Sequence, residues 1–141
     1  MGNLVVDASV VVKWFVEEEG TKEALEIRDA HIEGSVKIVA PELLPFEVLN
    51  ALHCKRLFKT AELAEISDAL EAYSFELRPL RGDYARRTLE VAGESRLTVY
   101  DASYVALAGM EGAEFVTADL KMVGALKGKH RLFSKGLYGK G

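Results

Sequence analysis

The sequence predicts an α/β protein with three layers, in which helices cover both faces of a mostly parallel sheet of four to five strands. Short apolar segments typical of buried strands alternate with longer segments in which apolar residues recur at helical spacing. The connections between these segments are short and polar, which favours strand–helix–strand units. A chain of 141 residues has the usual length of one domain. We therefore predict a single domain over residues 1–141.

Local patterning predicts the elements of the first half. Two short apolar runs, at residues 3–7 and 37–40, indicate buried strands. Ser9 and Thr21 are residue types that cap helix N-termini, because their hydroxyl groups accept hydrogen bonds from free backbone N–H groups, and Thr60 is expected to open a further helix. Apolar residues at helical spacing predict four helices, which cover residues 9–16, 21–34, 42–58 and 60–73.

The second half of the chain continues the alternation. Strands are expected at residues 76–80 and 114–117, with a possible last strand at residues 131–133. Thr98 and Asp101 fit a variant of the capping box at a helix start. The helices predicted here run from Asp83 through Val91, over residues 101–110, and from about residue 119 to residue 126.

Composition limits the classes of function. The net charge of −4 argues against a protein that wraps nucleic acid through a globally basic surface, so any such contact must be local. Basic residues between Lys121 and Lys140 are equally compatible with a phosphate-facing surface and a solvated tail. Cys54 is the only cysteine, which excludes an intramolecular disulfide and a cysteine-based zinc site, and we expect it to be a small buried residue. No apolar run approaches the ~18 residues that span a bilayer, so we expect a cytoplasmic protein.

Acidic residues are the main candidates for chemistry. Asp7 ends the first predicted strand, and Asp119 follows the strand that ends at Thr117. In an open parallel sheet, ligands bind outside the carboxyl ends of the strands. Asp is also a favoured N-cap, so Asp7, Asp119 and Asp101 each have a purely structural explanation when taken singly.

Glu47 is harder to explain as a structural residue. At helical spacing it points the same way as a set of mostly apolar residues, namely Leu43, Leu44, Ala51, Cys54 and Phe58. A buried carboxylate is paired with a cation, bound to a metal, or protonated, because an unpaired buried charge is costly. A salt bridge to an Arg or Lys, such as Lys13, is the structural alternative.

Convergence of several carboxylates would require a cation. Two such charges 4 Å apart repel by ~4 kcal/mol at an effective dielectric near 20, and oxygen ligands suit Mg²⁺ or Mn²⁺. Competing centres are absent from the sequence: His31, His53 and His130 lack ligand spacing, and there is no glycine-rich phosphate loop, nucleophile elbow or dinucleotide fingerprint.

Four segments, taken in order and spacing, resemble the four motifs of PIN-domain ribonucleases: LVVDASVVVKWF, PELLPFEVLNAL, LTVYDASYVALA and FVTADLKM. The likeness covers essentially the whole chain and is closest to VapC-type toxins of prokaryotic toxin–antitoxin pairs. It implies an α/β/α fold and a pocket in which Asp7, Glu47, Asp101 and Asp119 hold one or two Mg²⁺ or Mn²⁺ ions. The same four positions follow from residue chemistry.

The resemblance also implies the reaction and supporting residues. The expected reaction is hydrolysis of an RNA phosphodiester that leaves a 5′-phosphate and a 3′-hydroxyl, with the metal lowering the pKa of a water and offsetting charge at phosphorus. Ser9 and Thr117 stand at the family's hydroxyl positions, where they would orient carboxylates or water, although Ser9 also fits a plain helix cap. Asn50 matches a polar position of the family and is the third supporting residue.

Partners follow from the same likeness. A cognate antitoxin would insert a basic side chain into the pocket or cover the cleft, and a homodimer is expected. The helix with Phe46 and Leu49 fits the contact with the antitoxin, the contact with a second copy, or the core.

Two alternatives to the toxin function remain. They are a PIN-fold nuclease of RNA processing outside a toxin–antitoxin pair, and a non-catalytic PIN-fold binding module. A haloacid-dehalogenase-like phosphatase needs a second Asp where Ser9 stands, and a receiver-like domain needs an acidic pair that is missing.

Overall fold

The central sheet has five strands in the order β3-β2-β1-β4-β5, and every neighbouring pair is parallel. A computed structural model of the chain describes residues 2–126 and the backbone of residues 134–136. The strands are β1 (Gly2–Val6), β2 (Val36–Pro41), β3 (Glu76–Arg78), β4 (Glu114–Thr117) and β5 (Ser134–Gly136). Because all five run in the same direction, their carboxyl ends meet at one edge of the sheet.

Helices connect successive strands and pack against the sheet, which confirms the predicted α/β class. Those in the described residues are α1 (Ala8–Val12), α2 (Thr21–Glu33), α3 (Leu44–Lys55), α4 (Thr60–Ala72), α5 (Gly82–Ser95), α6 (Val99–Glu111) and α7 (Leu120–Leu126). None of the helices that the structure describes is long and apolar enough to cross a membrane.

Helix α6 lies at the centre of the packing. It contacts β1, β2, β4 and α5, and its residues from Ala102 to Ala108 are all buried. A helix that is apolar on every side is a core helix. The first turn of α6, which carries Asp101, is thereby fixed against the middle of the sheet.

The first helix is shorter than its sequence pattern suggested. Helix α1 ends at Val12, and the chain continues to Phe15 through turns of the i→i+3 type instead of running as a helix to Val16. The indole Nε1 of Trp14 donates to the carbonyl of Ala24, 2.8 Å away, and is buried. This contact with a residue ten positions away fixes the chain after α1, and local patterning cannot reveal it.

Two predicted hydroxyl caps are wrong by one or two positions, whereas Thr60 opens α4 as predicted. The N-caps of α1 and α2 are Asp7 and Gly20 rather than Ser9 and Thr21. Ser9 and Thr21 instead hydrogen-bond to neighbouring loops and strands. By contrast, Thr98 does cap α6, since its Oγ1 accepts from the backbone N of Asp101 at 3.0 Å, and this helix therefore begins before the predicted residue 101.

Other element ends also differ from the predictions. Helix α3 starts two residues later than predicted and stops at Lys55, because Arg56 adopts the left-handed conformation with φ of 57°. Strand β3 ends at Arg78, before the predicted residue 80, and α5 runs past Val91 to Ser95. Cys54 is exposed, not buried as expected. The last strand expected at residues 131–133, and most of the C-terminal basic residues, lie outside the described residues.

Candidate active site

The four predicted acidic residues line one pocket of about 410 Å³ at the carboxyl edge of the sheet. Each comes from a different part of the fold. Asp7 follows β1, Asp119 lies two residues after β4, and Glu47 and Asp101 occupy the first turns of α3 and α6. The parallel sheet thus brings together side chains that are far apart in the sequence.

Asp7 is the most buried of the four, with 7% of its surface exposed. Its Oδ1 accepts from the backbone N of Ser9 at 3.1 Å and from the Ser9 hydroxyl, and its Oδ2 accepts from Thr117 Oγ1 at 2.6 Å. Burial raises the pKa of Asp7 to about 6, against the hydrogen bonds from Ser9 and Thr117, which lower it. The carboxyl group is held in place, but its negative charge is costly there.

Thr117 and Ser9 join the ends of β4 and β1. The Thr117 side chain is fully buried, and its Oγ1 lies 3.3 Å from Ser9 Oγ and accepts from the backbone N of Asp119 at 3.0 Å. Ser9 Oγ in turn accepts from the backbone N of Ala118 at 2.9 Å. The two hydroxyl groups therefore link the Asp7 carboxylate to the backbone of Ala118 and Asp119.

Asp119 and Asp101 complete the pocket in different ways. Asp119 starts α7, and its Oδ1 accepts from the backbone N of Lys121 at 3.0 Å and of Met122 at 3.4 Å, so this residue caps a helix and also lines the pocket. Asp101 is not a cap, because Thr98 fills that role. Half-burial and the nearby charge of Asp119 raise the pKa of Asp101, against the contact with Thr98.

Glu47 is held by a tyrosine that the sequence analysis did not single out. The hydroxyl group of Tyr104, on α6, donates to Glu47 Oε1 at 2.7 Å, and Tyr104 is almost completely buried. Half-burial raises the pKa of Glu47, the Tyr104 hydrogen bond lowers it, and the charge of Asp101 raises it further. One feature of the sequence points to Tyr104: it lies three residues after Asp101, and therefore on the same helix face.

The position of Glu47 on its helix differs from the expected one. The fully buried side of α3 carries Leu44, Val48 and Leu52. Glu47 lies on the adjacent row with Ala51 and Lys55, at positions i, i+4 and i+8, and this row lines the pocket.

Two further expectations about this region need correction. Lys13, one candidate for a salt-bridge partner of Glu47 under the structural alternative, has its Nζ 3.1 Å from Glu18 Oε1. Asn50 is exposed and does not line the acidic pocket. It lies in an adjacent depression that Glu47 shares, with its Oδ1 3.8 Å from Cys54 Sγ.

The donor set of the pocket suits a hard divalent cation, although the side chains are not arranged as a complete metal site. Within the described residues, no three His, Cys, Asp or Glu side chains are close enough together to form a metal-binding group. Carboxylates that face one pocket repel unless a cation neutralises them. The pKa values of Asp7, Glu47 and Asp101 are all raised, with burial as the largest cause, so a cation would stabilise their ionised forms.

Fold and pocket together define a parallel α/β domain whose polar chemistry lies at the carboxyl edge of the sheet, in a group of carboxylates. The sequence model of the PIN domain family matches residues 4–124, and the chain belongs to this family. The resemblance seen in the four sequence motifs is thereby confirmed.

Individual relatives agree with this assignment. The chain is 30% identical over 129 residues to a protein named ribonuclease VapC3 from Pyrobaculum aerophilum, with 84% of this chain and 91% of that protein covered. The crystal structure of PAE2754 from the same organism superposes with a TM-score of 0.65 at 24% identity, over 97% of this chain and 85% of that one. A toxin–antitoxin complex from Klebsiella pneumoniae gives a TM-score of 0.64 at 18% identity, over 94% and 99% of the two chains. The two structural likenesses show the fold.

Proposed function

We propose that this chain is a metal-dependent endoribonuclease and the toxin of a VapBC-type toxin–antitoxin pair. The observation that carries the proposal is that Asp7, Glu47, Asp101 and Asp119, from four separate parts of the fold, line one pocket at the carboxyl edge of the sheet. The relative named ribonuclease VapC3, 91% of which this chain covers, supports RNA as the substrate.

Asp7, Glu47, Asp101 and Asp119 would hold one or two Mg²⁺ or Mn²⁺ ions. The cation supplies Lewis-acid chemistry when bound, since it activates a water and offsets negative charge at the phosphate. The protein's own part is to hold the carboxylates in place. Tyr104 fixes Glu47 through the 2.7 Å hydrogen bond, and the hydroxyl groups beside Asp7 fix that carboxylate. The products would be a 5′-phosphate and a 3′-hydroxyl.

A protein antitoxin is the partner we propose, together with a second copy of this chain, in the cytoplasm. A complex of a toxin with an antitoxin shares this fold. Phe46 is 76% exposed on α3 and Leu49 is half-buried, so Phe46 is accessible to a partner rather than packed in the core. The pocket of about 290 Å³ beside it is lined mainly by apolar surface, including Leu43, Leu80 and Tyr100.

A metal-dependence assay tests the proposed activity. We expect wild type to cleave members of a panel of structured RNAs in Mg²⁺ or Mn²⁺ but not in EDTA, and Asp101→Asn to be slower by roughly 100-fold, because a lost ligand removes several kcal/mol of stabilisation. Asp68→Asn is the matched control, since Asp68 is exposed on α4 and does not line the pocket. Cleavage at the wild-type rate by Asp101→Asn, or equal rates in EDTA, would contradict the proposal. Binding of RNA without cleavage would favour the non-catalytic alternative.

Tyr104→Phe tests how Glu47 is positioned. The variant loses one charge-assisted hydrogen bond, for which we expect about ten-fold slower cleavage. Because the Tyr104 hydrogen bond lowers the pKa of Glu47, the acid limb of the pH–rate profile should move to higher pH. Tyr84→Phe is the matched control, since Tyr84 is also buried and its hydroxyl donates at 2.8 Å to a backbone carbonyl, that of Ser103. Equal effects of the two variants on rate and profile would argue against a role for Tyr104 in the site.

A further inference from the structure

A second group of charges lines the same pocket as the four acids. It consists of Lys13, Glu18 and Lys55, here called the lysine cluster. Lys13 directly follows α1, Lys55 is the last residue of α3, and these two helices pack against each other. Glu18 lies in the connection between α1 and α2.

The carboxylate of Glu18 hydrogen-bonds to both lysines. Glu18 Oε1 accepts from Lys13 Nζ at 3.1 Å, and Glu18 Oε2 accepts from Lys55 Nζ at 3.4 Å. The Lys13 side chain is only 9% exposed, which is rare for lysine unless its charge is compensated. Burial acts to raise the pKa of Glu18, but the hydrogen bond and charge of Lys13 and the charge of Lys55 outweigh it, so the net shift is downward. Glu18 is therefore ionised at neutral pH.

The connection that carries Glu18 is held by a buried threonine. The backbone N of Glu18 donates to Thr21 Oγ1 at 2.9 Å, and the same hydroxyl donates to the carbonyl of Val16 at 3.1 Å. Thr21 is 7% exposed, and its own backbone N donates to the Glu18 carbonyl at 3.1 Å. The carboxylate is thus fixed by the fold, and it holds both ammonium groups beside the pocket before any ligand binds.

The charge of the lysine cluster is opposite to that of the rest of the pocket. Two lysines and one glutamate leave one positive charge, next to four carboxylates, in a protein of net charge −4. In a protein of negative net charge, the electrostatic part of RNA affinity comes from places where local cations meet the phosphates. We propose that Lys13 and Lys55 form a subsite for an RNA phosphate next to the scissile one, with Glu18 holding both ammonium groups in position. This inference rests on the proposed ribonuclease function and names a substrate contact of that site.

Salt-dependent binding of RNA tests the subsite. Lys55→Gln is the main variant, because Lys55 is the more exposed of the two lysines and its loss leaves the core intact. It is made in an Asp101→Asn background and assayed in EDTA, which together keep the labelled RNA uncut. Lys37→Gln in the same background is the matched control, since Lys37 lies near the amino end of β2, at the opposite edge of the sheet, where its Nζ contacts the Ser74 carbonyl. The affinity of each protein for a labelled ten-nucleotide single-stranded RNA of mixed sequence is measured by anisotropy over a range of KCl concentrations.

We expect Lys55→Gln to weaken RNA binding about ten-fold, as for one charge-assisted hydrogen bond, and to reduce the slope of log affinity against log salt by about 0.7. Lys37→Gln should change neither quantity. Equal affinities and slopes for the two variants, or no measurable binding in the Asp101→Asn background, would overturn the subsite. A failure of the proposed function can be told apart from a failure of the subsite. In that case wild type would not cleave RNA in Mg²⁺, and the salt dependence of binding would not alter that result.

Discussion

An Asp7→Asn variant is expected to cleave RNA at least about 100-fold more slowly than wild type, yet to be the more stable protein at pH 7 in EDTA. The loss of activity follows from the loss of a proposed metal ligand. The gain in stability follows from the removal of a negative charge that burial makes costly. Asn keeps an oxygen that can accept the two hydrogen bonds from Ser9.

The sign of the pH dependence follows from the raised pKa of Asp7. Its ordinary value is 3.8, and in the folded protein it is about 6. Between these pH values the folded state keeps a proton that the unfolded chain has released, so the free energy of unfolding falls as pH rises through this window. This decrease in the free energy of unfolding is complete above pH ~6, and it amounts to roughly 3 kcal/mol for a pKa shift of this size. Mg²⁺ at pH 7 should restore stability to wild type, because it binds the ionised folded state.

Urea unfolding measures this effect directly. Trp14 is the only tryptophan and is 8% exposed, so its fluorescence reports on the folded core. The readout is the difference in free energy of unfolding between wild type and Asp7→Asn, in EDTA, at several pH values from about 4 to about 7.5. Titrating groups that do not interact with Asp7 cancel in this difference, and the coupling of Asp7 to Asp101 and Asp119 is part of what it measures. Asp68→Asn is the control. If the difference in free energy of unfolding between wild type and Asp7→Asn does not change with pH, the argument is refuted.

Much of the fold could be predicted because its strands are short apolar runs and α6 is apolar on every side. The class, the parallel sheet and most helices follow from such patterns. Helix α1 is the clearest failure. Its sequence continues an apolar helical pattern, but the hydrogen bond from Trp14 to the Ala24 carbonyl accompanies a different path. Contacts between residues that are distant in sequence decide such cases, and periodicity does not contain them.

The candidate site could be predicted in part for the same reason. Asp7 and Asp119 follow strands, so a parallel sheet places them at one edge, and the structure brings Asp101 into the same pocket. Glu47 was placed in the core stripe of its helix, whereas it lies one row away, and its partner Tyr104 is 57 positions distant. The pairing of Lys13 and Lys55 through Glu18 likewise depends on how α1 packs against α3, which no local pattern specifies.

Thr117→Val should have the second large effect, on both stability and activity. Thr117 is fully buried, and its hydroxyl donates to Asp7 Oδ2 at 2.6 Å while accepting from the backbone N of Asp119 at 3.0 Å. Valine has nearly the same shape but no polar atom, so both groups lose their partner. The expected loss is roughly 2–4 kcal/mol in the free energy of unfolding, since each unsatisfied buried group costs about 1–3 kcal/mol.

The same substitution should slow RNA cleavage by about 10- to 100-fold, the usual range for a residue that orients ligands. Because the Thr117 hydrogen bond lowers the pKa of Asp7, its loss should also move the acid limb of the pH–rate profile to higher pH. Thr117→Ser is the matched control, which keeps the hydroxyl and removes one buried methyl group at a cost of about 1 kcal/mol. If Thr117 acts through its hydroxyl, the serine variant retains the wild-type profile and most of the activity, whereas equal losses in both variants would assign the effect to packing. Retention by the serine variant would mean that the hydroxyl group at the end of β4 couples the Asp7 carboxylate, which follows β1, to the backbone of Asp119, which follows β4.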